Sequence, residues 1–410
     1  MNIGHVIVAG CASAGIGAAG FAGWLSTLPP APPVATAPAV SEAEASATVA
    51  ALRPPKRKRP LIAIIGINDA TETTDFLMPY GVLRQADVAD VFTVATSQGP
   101  VQLYPAMRVL ADTTADAFDN RHPEGADYVI VPAMSRDDDP IVMRWLKRQA
   151  ARGAIVIGVC AGAKVVAAAG LLDGRDATTH WYYRPEMLGR HPAIRYVKDR
   201  RFVVDRGVAT TTGVTASMPM ALTLIEAIAG RARAEAVARD LGANTWDARH
   251  ASKSFAINRR FAMTVMANKV AIWRHERLGL RLDPGVDEVG LALVTDAWSR
   301  TYRSEVTTYG SSDQPITTAR GARVLPDKIA TTWALKLPTP IGNRPATALD
   351  AALRDIRQRY GEAVAEVVAM QLEYPINTEA HHNVNRPSAR LGPALAAGET
   401  GVRAPRQATR

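Results

Sequence analysis

Short apolar runs alternate with amphipathic helical stretches between Leu61 and Val159, and this alternation limits the possible folds more than any other sequence feature. The helical stretches run from Asp75 to Ala86 and from Pro140 to Gly153. Runs rich in Val and Ile are typical of strands buried on both faces of a parallel sheet. These runs are "LIAIIG", "DVFTVAT", "DYVIVPA" and "AIVIGV". We therefore predict an α/β fold that binds its ligand beyond the carboxyl ends of the strands.

The fourth run leads directly into Cys160, one of two cysteines in 410 residues. It lies in "GVCAG", and this G-x-C-x-G spacing matches the nucleophile elbow of hydrolases, whose sharp turn holds the nucleophile in a strained, exposed pose. The N–H groups that begin the next helix lower a thiol pKa and stabilise an oxyanion. We predict Cys160 as a nucleophile, with the N–H groups of Ala161 and Gly162 as oxyanion donors. A buried structural cysteine is the alternative.

Three segments resemble the ThiJ/PfpI family of the class I glutamine-amidotransferase-like superfamily. They are "GVCAGAKVVAAAGLLDGRDATTHW", "TETTDFLMPYGVLRQA" and "GVATTTGVTASMPMALTLIEAIAG". The resemblance extends from about Leu61 to Gly242 and includes isonitrile-hydratase-like proteins and the amidase-like domain of AraC-type regulators. It implies a flavodoxin-like fold and chemistry that depends on the cysteine.

The same resemblance implies two partners for the thiol. Family members carry an acidic residue on the first helix, four residues before a proline, and here that residue is Asp75. A carboxyl beside sulfur is either protonated and hydrogen-bonded or transfers protons as it titrates. Glu72 is the fallback acid, and a helix-start role is the alternative for Asp75. His180 follows in a Thr-Thr-His context as a second proton-transfer residue, with a core histidine packed on Trp181 as its alternative.

Two positions depart from the family pattern. Ala161 stands where protease-like members have histidine and isonitrile-hydratase-like members have threonine, and Pro219 stands where many relatives carry aspartate. Two functions therefore stay open. The first is a cysteine-dependent hydrolase or lyase that hydrates, hydrolyses or isomerises, in glyoxalase fashion, a small electrophilic carbon. The second is a non-catalytic small-molecule or redox sensor of the same family. No metal or organic cofactor is implied.

The regions outside this domain differ in composition. "IGHVIVAGCASAGIGAAGFAGWLSTL" carries no charged residue and is long enough to cross a bilayer, so we predict a single-pass membrane anchor over residues 1–28. A cleaved signal peptide is the alternative. Residues 29–60 are predicted as a Pro/Ala-rich basic linker, whose "RPPKRKRP" favours a cytoplasmic location for the following domain at 61–245. Residues 376–410 are predicted as a disordered tail.

The second half partly repeats the first. "DEVGLALVTDAWSRTYRSEVTTYGSSDQPITTARGARVLPD" parallels the segment that starts at Asp75, which aligns Asp287 with Asp75, and both segments end in "RVL-x-D". "YGEAVAEVVAMQLEYP" later echoes "RARAEAVARDLG". No cysteine follows, so residues 246–375 are predicted as connector helices and a degenerate half-repeat without an elbow.

Several partners are expected from these features. They are a small-molecule substrate or ligand, the membrane through the N-terminal helix, and a second copy in a homodimer, because relatives often dimerise through surfaces near the active site. The half-repeat is a candidate to cover that surface within one chain. The net charge of +9 is concentrated in the linker and tail, and no helix-turn-helix or zinc-ligand spacing is evident, so nucleic acid is disfavoured.

Overall fold

Strands and helices alternate from Leu61 onward in the computed structural model, which describes residues 20–21, 23–32, 35–243, 245–340 and 344–375. The strands are β1 (Leu61–Gly66), β2 (Thr71–Glu72), β3 (Asp90–Ala95), β4 (Pro100–Tyr104), β5 (Arg108–Leu110), β6 (Thr113–Thr114), β7 (Tyr128–Val131), β8 (Ile155–Gly158), β9 (Asp176–Ala177), β10 (Arg195–Tyr196), β11 (Phe202–Asp205), β12 (Val208–Thr211), β13 (Glu276–Arg281), β14 (Ser304–Gly310), β15 (Ile316–Thr317), β16 (Arg323–Leu325), β17 (Lys328–Ile329) and β18 (Lys336–Leu337). The helices are α1 (Glu42–Ala51), α2 (Thr73–Ala86), α3 (Ala115–Arg121), α4 (Pro140–Ala151), α5 (Gly162–Ala168), α6 (Arg184–Arg190), α7 (Ser217–Ala229), α8 (Arg231–Leu241), α9 (Arg259–Val270), α10 (Glu288–Ser299), α11 (Ala348–Tyr360) and α12 (Glu362–Gln371).

The main sheet has seven strands in the order β11-β12-β8-β7-β1-β3-β6. All neighbours are parallel except β11 and β12 at one edge. Every residue of β1, β7 and β8 is buried, as expected for strands covered by helices on both faces. The predicted flavodoxin-like α/β arrangement fits this sheet. The carboxyl ends of β1, β7 and β8 lie at one edge, and the elbow follows β8.

The second half builds a smaller sheet with the same strand order. Its four parallel strands run β17-β14-β13-β18, which repeats β6-β3-β1-β7 of the main sheet. β13, α10, β16 and β17 each begin 215 residues after β1, α2, β5 and β6; Leu61 and Glu276 are one such pair. α11 and α12 each begin 131 residues after α7 and α8, and a glycine with positive φ joins each helix pair, Gly230 and Gly361.

The offset between the halves locates what the second half lacks. It falls from 215 to 131, so 84 residues are missing between β17 and α11, where the first half carries β8, the elbow and α5. The constant offset also corrects the predicted alignment of Asp287 with Asp75. Asp287 caps the N-terminus of α10 as Glu72 caps that of α2, and the counterpart of Asp75 is Gly290.

The two halves meet through equivalent elements. α2 packs on α10 so closely that a Cβ on Gly81 would lie 2.6 Å from Val289 Cγ2. The "RVL" strands β5 and β16 pair antiparallel, with Val109 opposite Val324. Because each element contacts its own counterpart, the halves are related by an approximate internal two-fold axis. The described residues up to Pro375 fall in one compact unit.

A threonine-aspartate contact repeats in both sheets and shows how closely the halves correspond. The N–H and hydroxyl of Thr93 both donate to Asp112 Oδ2, each at 2.8 Å. The N–H and hydroxyl of Thr308 donate to Asp327 Oδ2 at 2.9 and 2.7 Å. The contact fixes the turn that follows the hairpin in each half.

Part of the segment predicted as a linker, residues 29–60, is ordered against the domain. It contains α1, and Leu52 is fully buried with its carbonyl accepting a hydrogen bond from the Tyr128 hydroxyl at 2.7 Å. In the basic cluster, Arg57 Nη1 lies 2.7 Å from the buried carboxylate of Asp127. These basic side chains therefore hold the start of the sheet.

The predicted single-pass membrane anchor over residues 1–28, and the location based on it, are wrong. Among the residues that the structure describes, no helix has both the length and the apolar character to span a bilayer. The described helical residues 23–27 end before Pro29, since proline disfavours a helical conformation in the residue that precedes it. Residues 1–19 and the predicted tail, 376–410, lie outside the described residues.

Candidate active site

The turn between β8 and α5 places Cys160 in a strained backbone conformation. Its φ is +56°, a value that is uncommon for residues other than glycine. A Cβ on Gly162 would lie 1.9 Å from the carbonyl oxygen of Val131, and one on Gly158 would lie 3.0 Å from the backbone of Ala163. Gly162 is therefore required, because α5 approaches the end of β7 too closely for any side chain, and Gly158 leaves little room for one beside α5.

The Cys160 side chain differs from expectation in its environment. The residue is only 4% exposed, and its N–H donates to the Thr211 hydroxyl at 3.0 Å. Burial, followed by the charges of Asp75 and Glu72, raises the pKa of the thiol well above its ordinary value. Loss of water and two nearby carboxyl groups thus outweigh the positive end of a seven-residue helix. At rest the thiol is protonated and covered.

The two predicted oxyanion donors are not equivalent. The N–H of Gly162 donates to the Val159 carbonyl oxygen at 2.7 Å and is therefore engaged within the turn. The N–H of Ala161 has no acceptor among the residues that the structure describes. An anion that forms beside the sulfur therefore has one unengaged backbone donor from this pair.

Asp75 lies beside the thiol, in the first turn of α2. It is fully buried, and its Oδ2 accepts a hydrogen bond from the Ala133 N–H at 3.2 Å. Burial raises the pKa of Asp75 to about 8, although the hydrogen bond from the Ala133 N–H opposes the rise. At neutral pH the carboxyl is therefore largely protonated and carries a proton that it can donate.

Glu72, the fallback acid, has a different position. It caps α2, and its Oε2 accepts the Asp75 N–H at 2.6 Å. Burial and the charges of Asp296 and Asp75 raise the pKa of Glu72 well above its ordinary value. Glu72 thus orients Asp75 by accepting a hydrogen bond from its backbone N–H.

The second half supplies residues to this cluster that the sequence analysis missed. Arg300, at the end of α10, lies 2.8 Å from Glu72 Oε1 and 2.6 Å from Asp296 Oδ1. Asp296 Oδ2 also accepts a hydrogen bond from the Thr74 hydroxyl at 3.2 Å. The half-repeat was the only sequence signal for Arg300 and Asp296. Its 215-residue offset makes Arg300 the counterpart of Gln85 on α2.

His180 is close to the elbow, but both of its ring nitrogens are engaged. Its Nε2 lies 2.8 Å from the Gln371 carbonyl oxygen, which can only accept, so Nε2 carries the proton. Its Nδ1 accepts the Tyr182 N–H at 3.2 Å. Burial lowers the pKa of His180, which keeps the ring neutral. The neighbouring Thr179 hydroxyl donates to the Cys160 carbonyl at 3.1 Å, so this segment supports the elbow.

A buried glutamate from the second half holds the loops around the site. Glu373 accepts the N–H groups of Trp181 and Gly213, each at 2.6 Å, and its Oε2 lies 3.4 Å from His250 Nε2. Burial opposes its ionisation, but the contact with His250 and the hydrogen bond from the Trp181 N–H lower the pKa of Glu373 to about 2. Glu373 is therefore a carboxylate throughout the physiological range.

A second cluster of charged side chains lies at the N-terminus of α10, the helix that corresponds to α2. There Arg320 pairs with Asp287 and lies 3.1 Å from Glu288 Oε1, next to Gln85. A cavity of about 610 Å³ adjoins these residues. The arrangement resembles the Arg300 cluster, but no described cysteine lies in it.

Known proteins match the half of the chain that contains the elbow. Residues 62–227 match the DJ-1/PfpI family. Isonitrile hydratase of Pseudomonas putida is 32% identical over 161 residues, which cover 36% of this chain and 68% of that protein. The HTH-type transcriptional regulator GlxA of Rhizobium meliloti is 41% identical over 75 residues, 18% of this chain and 23% of the regulator. A crystal structure of a DJ-1 superfamily protein from Salmonella typhimurium is 23% identical, matches 45% of this chain and 100% of its own, and gives a TM-score of 0.41.

Proposed function

This chain belongs to the DJ-1/PfpI family, and we propose that it is a cysteine-dependent enzyme that adds water to a small electrophilic carbon through Cys160. One observation carries the proposal. A thiol on a strained turn, with φ of +56°, lies beside a buried carboxyl, that of Asp75, which is largely protonated at neutral pH. This pairing of nucleophile and acid is the minimum that covalent addition requires.

The proposed chemistry has two steps. Sulfur forms a bond to the unsaturated carbon, the displaced electron pair moves onto the substrate atom that Asp75 protonates, and the thiol proton passes to the carboxylate left behind. Water then delivers its hydroxyl to the carbon while the sulfur–carbon bond breaks and a proton returns to sulfur. The net reaction is addition of water, and both Cys160 and Asp75 end as they began.

Three other residues have proposed roles that follow from their contacts. The Ala161 N–H is the oxyanion donor, since the Gly162 N–H is engaged with Val159. His180 holds the loop after the elbow in place, because hydrogen bonds to the backbone engage both of its ring nitrogens. Proton transfer is therefore assigned to Asp75 and not to His180. These roles are compatible with hydration, hydrolysis or glyoxalase-type chemistry.

A second candidate function is a sensor or regulatory module. The thiol is 4% exposed and its pKa is raised, both of which slow nucleophilic attack, and Ala161 lacks a hydroxyl that could assist. Relatives include a protein named as an HTH-type transcriptional regulator as well as one named isonitrile hydratase. The expectation that nucleic acid is disfavoured as a partner has no support from these relatives.

Turnover assays separate the two candidates. The purified chain is incubated with an aliphatic isonitrile and, separately, with methylglyoxal, and formamide or lactate is measured beside Cys160→Ser and Asp75→Asn variants. The enzyme proposal expects product from the wild type and at least a hundredfold loss in each variant, on the order of general acid contributions. Equal background rates in all three proteins, together with ligand binding by the wild type, would support the sensor.

A further inference from the structure

We propose that Arg300, supplied by the second half of the chain, is a positioning residue for the Cys160–Asp75 pair. This inference rests on the proposed function, since it assigns a role toward the same thiol. Arg300 lies outside residues 62–227, the part that matches the family. The half-repeat would therefore contribute a residue to the site, in addition to packing against α2.

The contacts form a short path from Arg300 to the acid. Arg300 Nη2 is 2.8 Å from Glu72 Oε1, and Glu72 Oε2 accepts the Asp75 N–H at 2.6 Å. Glu72 is thus held between a guanidinium and the backbone of the catalytic acid. Because Asp75 lies in the first turn of α2, the direction of its side chain toward the thiol depends on where Glu72 anchors that turn.

Charge balance gives Arg300 a second effect. The Arg300 guanidinium, whose side chain is 18% exposed, pairs with the buried carboxyl groups of Glu72 and Asp296. Asp75 is a third buried carboxyl in the same cluster, and the charge of Arg300 acts to lower its pKa. Arginine stays charged in proteins, so it favours ionised carboxyls and a thiolate nearby. Without that charge, burial and mutual repulsion would hold more protons on the cluster, and formation of the thiolate would need a higher pH.

The second half offers a matched comparison. Arg320 pairs with the helix cap Asp287 and with Glu288 at the start of α10, much as Arg300 pairs with the helix cap Glu72. Both arginines join the halves, since Arg320 also contacts Gln85 of α2. Of the two, Arg300 is the one that contacts Glu72, the cap of the helix that carries Asp75. A role limited to holding the halves together therefore predicts equal effects for the two arginines, whereas a role toward the thiol predicts an effect for Arg300 alone.

The experiment measures alkylation of Cys160 by iodoacetamide against pH, with mass spectrometry of the Cys160 peptide to separate it from Cys11. The proteins are the wild type, Arg300→Gln, Arg300→Lys and Arg320→Gln. We expect Arg300→Gln to raise the midpoint of the pH profile by about one pH unit, which makes alkylation below the midpoint about tenfold slower. Arg300→Lys keeps the charge and should restore the wild-type midpoint. Arg320→Gln should lower thermal stability and leave the midpoint of the pH profile unchanged.

Each other result overturns a stated idea. If the wild type is alkylated but Arg300→Gln has the same midpoint, the role of Arg300 is wrong and the proposed function stands. If wild-type Cys160 resists alkylation at every pH, both fail. Should Arg300→Gln not fold, Asp296→Asn tests the same cluster in the opposite direction, because removing that negative charge should lower the midpoint. An unchanged midpoint there also refutes the inference.

Discussion

Val109 and Val324 face each other across the antiparallel β5–β16 pair, and each is the counterpart of the other in the two halves of the chain. The approximate two-fold axis therefore passes between them. A face that a homodimer would build from two copies is built here from β5 and α2 of one half and β16 and α10 of the other. The arrangement brings Arg300 to the cap of α2 and leaves only one half with an elbow.

Replacement of Asp75 by asparagine should stabilise the protein at high pH. The pKa of Asp75 rises to about 8 on folding, so the folded state binds the proton more tightly than the unfolded state. That stability is present in full below the unfolded pKa and is lost as pH rises toward 8. Asparagine cannot ionise. The free energy of unfolding of Asp75→Asn, relative to the wild type, should therefore grow between about pH 4 and pH 8 by on the order of a few kcal/mol.

Urea unfolding at pH 5 and pH 9 checks this prediction, with Asp138→Asn as the control because Asp138 is exposed. The free energy of unfolding of the control should differ from that of the wild type by the same amount at both pH values. If Asp75→Asn also shows no pH-dependent gain, the carboxyl is not protonated in the folded protein, and the proposed acid role fails with it.

Replacement of Glu373 by glutamine should have the opposite pH dependence. Its pKa falls to about 2 on folding, so it contributes stability above its unfolded pKa, and that contribution is lost as pH falls toward 2. Glu373→Gln should cost up to about 3 kcal/mol at pH 7 and much less near pH 3. Chemical denaturation at the two pH values measures this.

The matched control is Glu235→Gln, which removes a surface carboxylate paired with Arg231. Its effect should stay within about 0.5 kcal/mol at either pH. A cost of Glu373→Gln that is the same at pH 3 and pH 7 would mean that packing, and not the ionised carboxylate, holds the loops.

Gly162→Ala should strongly destabilise the elbow. The added methyl would lie 1.9 Å from the Val131 carbonyl oxygen, so the strand end or α5 must shift. We expect a loss of at least about 2 kcal/mol and loss of Cys160 reactivity, since the turn that strains the thiol is displaced. Gly189→Ala is the control, because nothing lies within 4 Å of a Cβ there and alanine favours helix α6. Equal melting temperatures for the two variants would contradict the steric argument.

A chain that ends after Gly242 should not remain a folded monomer. Removing the second half exposes the face of α2 around Gly81, which Val289 and Glu288 now cover, and removes the Glu373 contacts to Trp181. We expect aggregation or self-association through that face, measured by light scattering after gel filtration. A chain that ends after Pro375 keeps every contact described here and serves as the control. A monomeric short chain with wild-type stability would show that the second half is dispensable.

Local signals in the sequence were sufficient for four of the seven strands of the main sheet, β1, β3, β7 and β8, and for the turn at Cys160. Continuous Val/Ile runs predict buried parallel strands, and the two glycines around Cys160 predict a turn too tight for side chains. The environment of the thiol depends on Arg300, Asp296 and Glu373, which lie more than 100 residues away along the chain. A helix N-terminus alone predicts a lowered thiol pKa, whereas the folded cluster raises it. Electrostatics in a buried site is a property of tertiary contacts and cannot be derived from neighbours in sequence.

Two other predictions failed for physical reasons. The membrane anchor over residues 1–28 rests on segment length and lack of charge, but no described helix has both the length and the apolar character to span a bilayer, and the described helical residues 23–27 end before Pro29. The sequence predicts that Asp287 corresponds to Asp75, because both are aspartates before an apolar helix. In the structure Asp287 corresponds to Glu72, because both cap the N-terminus of a helix. At the start of these two helices the halves share a structural role and not residue identity.

The internal two-fold axis has one more consequence. In an assembly of identical subunits, every substitution on a shared face occurs twice, and dilution can separate the faces. Here a peptide linkage joins them, so Arg300 meets Glu72 at a local concentration that no dilution lowers. Each face is also free to change alone, and the described residues of the second half place charges at Arg320 without a cysteine beside them.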